Sequence, residues 1–193
     1  MADAGRVIAG SARGRRLTAP GEGTRPLADR VKQTLFAVLE PDLAGCAFLD
    51  LCAGSGAAGI EALSRGAARA TFVERDRRAT TTIAENLALT RLEGPGARIV
   101  RSEAARWLSA EGRDEGPYDL VVIDPPYADT GLLLRLLGIL GADAEGRLLR
   151  PGGRVVAKHF WRDRPPAVVG LLASERDRRF GETGLTFYRR EGG

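Results

Sequence analysis

The stretch Phe48-Leu49-Asp50-Leu51-Cys52-Ala53-Gly54-Ser55-Gly56-Ala57-Ala58-Gly59-Ile60-Glu61-Ala62 sets the fold of this 193-residue chain. Its first residues are apolar on alternate and adjacent positions, as a strand covered on both faces must be. Its last residues read as an amphipathic helix over 57–65. Between strand and helix, Gly54, Gly56 and Gly59 spell out G-x-G-x-x-G. Such a turn brings backbone N–H groups close to a ligand at a helix N-terminus. Glu74 stands 20 positions after Gly54 at the end of the next predicted strand, where a carboxylate can accept from ribose hydroxyls. The segment therefore binds an adenosine-type ligand. At this point NAD and S-adenosylmethionine both fit.

Outward from this turn, apolar strands alternate with amphipathic helices. Strands are predicted over 46–51, 69–74, 97–101, 118–123, 152–159, 171–178 and 184–190, with helices over 57–65, 77–90, 103–110 and 130–141. Leu120-Val121-Val122-Ile123 is the most apolar run. This order predicts an α/β, Rossmann-like, doubly wound and mostly parallel sheet of seven strands, with ligands at the carboxyl ends of the strands. Ahead of it, 6–17 reads as two short strands around a glycine turn, 18–26 as a loop, and 28–39 as a helix stopped by Pro41. The expected organisation is a small basic extension over 1–45 and a catalytic domain over 46–193.

Two motifs discriminate among ligands. Asp50 lies four residues before Gly54, where a carboxylate would repel a pyrophosphate and attract the ammonium of S-adenosylmethionine. A carboxylate there can also serve the amides of its own loop. Asp124-Pro125-Pro126-Tyr127 follows the most apolar strand. The two prolines stiffen the turn and remove two donors. The Asp124 carboxylate and Pro125 carbonyl can accept the two hydrogens of an exocyclic amine, while Tyr127 stacks on the base. Accepting those hydrogens favours a pyramidal nitrogen with an available lone pair, which helps the transition state more than the ground state. An oxidoreductase would leave Asp50 and Asp124–Tyr127 without purpose.

Charge and composition narrow the class further. The net charge is +4, and residues 1–36 alone carry that surplus, with seven basic groups against three acidic. A neutral body with a basic front end points to a polyanionic partner. No uncharged stretch exceeds ten residues, too short to span a bilayer, and the start lacks the order of a secretory signal. Cys46 and Cys52 fall in one apolar segment, which as extended chain holds them too far apart to bridge, and with a single histidine they make no zinc cluster, so no metal is expected. That histidine, His159, sits beside Phe160 and Trp161 and reads as packed or surface rather than as a catalytic base. A reduced, cytoplasmic protein is expected.

With these motifs placed, the chain resembles the RsmD family of S-adenosylmethionine-dependent methyltransferases, which act on N2 of a guanine in bacterial 16S ribosomal RNA. The resemblance runs through Arg6-Val7-Ile8-Ala9-Gly10, Arg13-Gly14-Arg15-Arg16-Leu17, and the block from Arg25 to Phe36. It continues through Leu49–Gly56, Glu61–Ala67 and Asp124–Tyr127. The glycine and Asp-Pro-Pro-Tyr motifs by themselves indicate only an amino-methyltransferase; the Arg25–Phe36 block with the basic opening narrows the match.

The resemblance implies S-adenosylmethionine as cofactor. Asp50 and the turn Gly54-Ser55-Gly56 would hold its methionine end, Glu74 its ribose and Glu103-Ala104 its adenine, with Ala53, Gly59 and Arg75 as further cofactor contacts. Glu103 departs from the shorter Asp or Asn expected there, and Lys158 departs from the acid expected near the end of its strand. Asp124, Pro125, Pro126 and Tyr127 would hold the target base. Arg6, Arg13, Arg15, Arg16, Arg25, Arg30 and Lys32 would contact RNA phosphates, with weakening by salt. The implied partner is 16S ribosomal RNA, as naked RNA or within a small-subunit particle, met by a monomer away from any membrane. The alternative is a DNA adenine-N6 or cytosine-N4 methyltransferase, disfavoured because so short a chain lacks a separate DNA-reading domain.

Overall fold

The computed structural model describes residues 3–21 and 27–192. They form two compact units, divided between Ser102 and Glu103.

The first unit opens with β1 (Asp3–Arg6) and β2 (Arg16–Thr18), an antiparallel hairpin. The two strands lie mostly outside the segment that the sequence suggests. The chain between them is pinned by Val7 N–H to Arg15 O at 2.9 Å and Gly14 N–H to Val7 O at 2.9 Å. Helix α1 (Asp29–Leu39) follows and buries Val31, Leu35, Phe36 and Leu39. It ends in a 3-10 turn over Glu40–Asp42 that contains Pro41. Three parallel strands come next: β3 (Ala47–Leu51), β4 (Arg69–Glu74) and β5 (Ala97–Arg101), ordered β5-β4-β3. Helices α2 (Ala57–Ser64) and α3 (Arg77–Thr90) connect them. Every residue of β3 is buried, which explains its continuous apolarity. Phe36 of α1 stacks on Phe48 of β3 with ring centres 6.1 Å apart, and burying each ring stabilises by roughly 1.5–3 kcal/mol.

The second unit begins with α4 (Ala104–Ser109) and a short α5 (Gly112–Glu115), the latter in a segment whose glycines suggest a bare turn. Strand β6 (Tyr118–Ile123), helix α6 (Thr130–Gly141) and strand β7 (Leu149–Phe160) make a β-α-β crossover, with β6 and β7 parallel. Then β8 (Val168–Val169), β9 (Leu172–Phe180) and β10 (Thr183–Arg190) complete an antiparallel order β7-β10-β9-β8. Leu133, Leu136, Leu137 and Leu140 give α6 its buried face. Trp107, Tyr118, Phe187 and Tyr188 fill the rest of this core.

The chain is an α/β fold with a mostly parallel arrangement and an N-terminal hairpin. Strands β3 to β10 number eight, against the seven predicted. The addition is Val168–Val169, a two-residue strand too short to leave a periodic signal. No helix among the described residues is long and apolar enough to cross a membrane.

Candidate active site

In the first unit the chain leaves β3 through a turn of unusual backbone. Cys52 has φ 60°, Gly54 φ 55° and Gly56 φ 76°. Glycine adopts such angles without the penalty a side chain carries. Gly56 N–H closes the turn on Ala53 O at 2.7 Å, and Gly56 caps α2. Gly59 is required for packing: a Cβ there would lie 2.2 Å from the Phe72 ring on β4. The third glycine of the motif thus sets the close approach of helix to strand.

Two carboxylates stand at the strand ends beside this turn. Asp50 is buried, and its Oδ2 accepts from Gly59 N–H at 2.9 Å. The amide it serves belongs to the first turn of α2. Glu74 is half-buried; its Oε2 accepts from Gly54 N–H at 2.9 Å and its Oε1 from Asp76 N–H at 2.9 Å. An ionised carboxylate offers about four lone-pair sites, so each Glu74 oxygen retains one for a ribose hydroxyl. The pair of carboxylates at a glycine turn is an acceptor set suited to the hydroxyls and ammonium of a nucleoside bearing an amino-acid group. Ser55 is buried and its carbonyl accepts from Asn86 Nδ2 at 2.9 Å, while Arg75 is exposed.

The basic front end is fastened to α2 and α3. Glu61, fully buried, accepts from Ile8 N–H at 2.7 Å, Ala9 N–H at 3.0 Å and Arg65 Nε at 2.8 Å. Ser64 Oγ donates to Ala9 O at 2.6 Å and accepts from Ala12 N–H at 2.9 Å. Asn86 Oδ1 accepts from Thr18 N–H at 2.9 Å while its Nδ2 returns a bond to Thr18 O at 2.9 Å. None of these anchors is legible as such in the sequence, because each lies more than 50 residues from the hairpin residue it holds.

This fastening leaves Arg13, Arg15, Arg16 and Arg30 exposed. Arg15 Nη1 donates to Leu89 O at 2.7 Å, Arg16 pairs with Asp3 at 3.3 Å and Arg6 with Asp29 at 2.9 Å. Lys32 corrects the sequence expectation. It is fully buried, its ammonium donates to Arg6 O and lies 3.9 Å from Asp29, and burial lowers its pKa against the pull of Glu61 and Asp29. So placed, Lys32 ties α1 to the hairpin and faces no phosphate. Arg25 lies outside the described residues.

In the second unit, Glu103 caps α4: its carboxylate accepts from Ala105 N–H at 3.1 Å and Arg106 N–H at 2.8 Å. The shorter Asp76 and Asp129 cap α3 and α6 in the same way. Ala104 is buried behind it.

Asp124 leaves the end of β6, and its Oδ1 receives Lys158 Nζ from β7 at 2.5 Å. The same ammonium lies 5.1 Å from the centre of the Tyr127 ring. Tyr127 is itself anchored, its hydroxyl 2.7 Å from Thr183 Oγ1 on β10 and its ring centre 6.3 Å from Phe160. Pro125 is buried and Pro126 exposed. Pro126 O accepts from Asp129 N–H at 2.9 Å, and Asp129 in turn caps α6. The Pro125 carbonyl receives no such bond from the described residues. The turn therefore presents a carboxylate, a carbonyl and a braced aromatic ring together, as a flat amine-bearing base requires. Lys158 and Thr183 are the members that the sequence motif does not reveal; Lys158 is visible there only as a departure.

His159 is buried in the sheet, with Nδ1 2.7 Å from Phe160 O and Nε2 3.0 Å from Thr186 Oγ1. It packs so closely on Gly184 that a Cβ there would lie 2.3 Å from the ring. Burial lowers its pKa, opposed by the Phe160 carbonyl and by Asp177. It is a packed histidine.

A family model described as conserved hypothetical protein 95 matches residues 5–189. The protein YlbH of Bacillus subtilis (strain 168) is 38% identical over 188 residues, covering 97% of this chain and 100% of that protein. Ribosomal RNA small subunit methyltransferase D of Escherichia coli (strain K12) is 36% identical over 187 residues, covering 96% of this chain and 90% of that protein. Among solved structures, yhhF from Escherichia coli superposes with a TM-score of 0.85 at 34% identity, covering 97% of this chain and 98% of that one. An RNA methyltransferase from Salinibacter ruber in complex with S-adenosyl-L-homocysteine shares the fold at 16% identity with a TM-score of 0.65.

Proposed function

Because the chain belongs to the RsmD family, that of ribosomal RNA small subunit methyltransferase D, we propose that it methylates the exocyclic N2 amine of a guanine in 16S ribosomal RNA. The coarser statement, an S-adenosylmethionine-dependent rRNA methyltransferase, follows from the family. The Asp124–Lys158 pair beside the braced ring of Tyr127 supports an exocyclic amine as the target, and the resemblance through the Arg25–Phe36 block supports guanine N2 in particular. The DNA adenine-N6 or cytosine-N4 alternative is disfavoured by relatives named for ribosomal RNA.

S-adenosylmethionine supplies an electrophilic methyl group on a sulfonium. The chain's own residues then divide the remaining work. Asp50 and the Ala53–Gly56 turn are assigned to the amino-acid end of the cofactor, and Glu74 to its ribose through the lone pairs left on each oxygen. Asp124 and the Pro125 carbonyl accept the two hydrogens of the target amine, so the nitrogen lone pair is withdrawn from the ring and becomes available. Tyr127 stacks on the base. Lys158 is a positioning residue, holding one oxygen of Asp124 so that the other faces the amine.

The basic extension over 1–45 is assigned to RNA docking, through Arg6, Arg13, Arg15, Arg16, Arg25 and Arg30. The working form is a monomer in the cytoplasm, and the substrate is 16S RNA, either free or in the small-subunit particle.

The test is nucleoside mass spectrometry of small-subunit rRNA, prepared from cells lacking the gene and incubated with the protein and S-adenosylmethionine. Appearance of N2-methylguanosine is expected. Another methylated nucleoside would overturn the atom assignment, and no methylation of free RNA or of small-subunit particles would overturn the whole reading.

A further inference from the structure

The end of β7 carries an aromatic series that the site above uses only in part. Phe160, packed on Tyr127, is followed by Trp161, with the two ring centres 6.3 Å apart. The Arg179 guanidinium carbon, from β9, lies 3.5 Å from the centre of the Trp161 ring, and that of Arg162 lies 4.9 Å from it. Acidic residues are close in sequence to both arginines: Asp163, Glu175, Asp177 and Glu182. Two of them are taken by other cations. Glu175 takes Arg154 at 3.0 Å and Arg189 at 3.1 Å, and Asp177 takes Arg164 at 2.5 Å. Among the described residues, Arg162 and Arg179 form no ion pair.

A guanidinium stacked on an aromatic face keeps its N–H groups in its own plane, with their edges turned outward. Arg179 spends Nε on Gly181 O at 3.0 Å, which leaves its terminal nitrogens. A guanidinium held on a ring without a carboxylate partner retains N–H donors for phosphate oxygens.

We propose that Trp161 holds Arg162 and Arg179 as a phosphate clamp for the RNA strand next to the target base. The Tyr127–Phe160–Trp161 series leads from the base-holding turn to the clamp within the second unit. The proposal rests on the rRNA methyltransferase reading and adds a docking site outside the N-terminal extension. The near-neutral charge of residues 37–193 conceals it, because acids of this region are consumed by other arginines.

The experiment measures binding of a fluorescently labelled single-stranded oligoribonucleotide by the full chain across a salt series, read by the anisotropy of the label, with tryptophan emission of the wild type and the arginine variants followed alongside. The chain has two tryptophans, and Trp107 is only 1% exposed, so a change on binding reports Trp161. Emission is expected to change on binding. Arg162→Ala with Arg179→Ala should weaken binding by about tenfold and reduce the salt slope by roughly 0.7 for each phosphate no longer neutralised. Trp161→Ala should do the same, while Trp161→Phe retains most of the affinity. Equal affinity and equal slope in the double variant, with its melting temperature unchanged, would overturn the clamp. If the wild type methylated rRNA while the double variant bound normally, the clamp alone would fall. If the wild type bound no RNA, the parent reading would fall and the clamp with it.

Discussion

Lys158 Nζ and Asp124 Oδ1 meet at 2.5 Å across 34 residues of sequence, joining the ends of β6 and β7. The side chain of Lys158 is 10% exposed and that of Asp124 is 23% exposed. A contact so shielded restricts the carboxylate to one orientation, since a second arrangement would leave the ammonium without its acceptor.

Asp124→Ala should abolish methyl transfer while calorimetry shows S-adenosylmethionine binding nearly unchanged. Lys158→Met should lower kcat by about ten- to a hundredfold, in the range seen when an orienting partner is removed. Cofactor affinity should again be preserved. Active Asp124→Ala, or lost cofactor binding, would remove Asp124 from the base-holding role.

Changing Arg13, Arg15 and Arg16 together to Glu should impair RNA binding steeply and leave cofactor binding alone. All three side chains are exposed, so the fold should persist, as circular dichroism would verify. Unaltered affinity across a salt series would take the hairpin out of the RNA interface.

Glu61→Ala should destabilise the protein by roughly 3 kcal/mol, because the change leaves Ile8 N–H, Ala9 N–H and the Arg65 guanidinium short of a buried acceptor. Denaturant titration measures it. Amide exchange at Ile8 and Ala9 should accelerate more than exchange in β3, which distinguishes release of the hairpin from general loosening.

Acid should weaken the fold through His159. Its pKa is lowered by burial, so below its ordinary value of 6.5 the unfolded chain binds the extra proton more readily than the folded one. Stability therefore falls as pH drops below 6.5. Melting temperatures of wild type and His159→Gln measured between pH 7 and pH 5 check this: the variant should show the shallower decline. Parallel slopes would place the acid sensitivity elsewhere.

Features with local signals are legible in the amino-acid order alone. The strand–turn–helix around Gly54 and Gly56, the crossover through β6 and α6, and the Asp124–Tyr127 turn are each written in consecutive residues, so periodicity and turn chemistry suffice to read them. The ligand class follows from residue types at those same strand ends. Other features wait on the packed molecule, because they depend on partners distant in the chain. Lys32 reads in sequence as one more phosphate contact, and packing seals it beneath the hairpin against Arg6 O. Glu103 reads as an adenine contact, and folding adds two amide bonds by which it caps α4. The placement of Lys158 on Asp124 is set by the register of β7 beside β6, which aligns Ile123 with Ala157 and so brings the next residues of both strands together. The charge of residues 1–36 is plain from composition, whereas the arginines on Trp161 emerge only once folding has assigned neighbouring acids to other cations. A charge count adds signs along the chain; pairing depends on distances that folding alone creates.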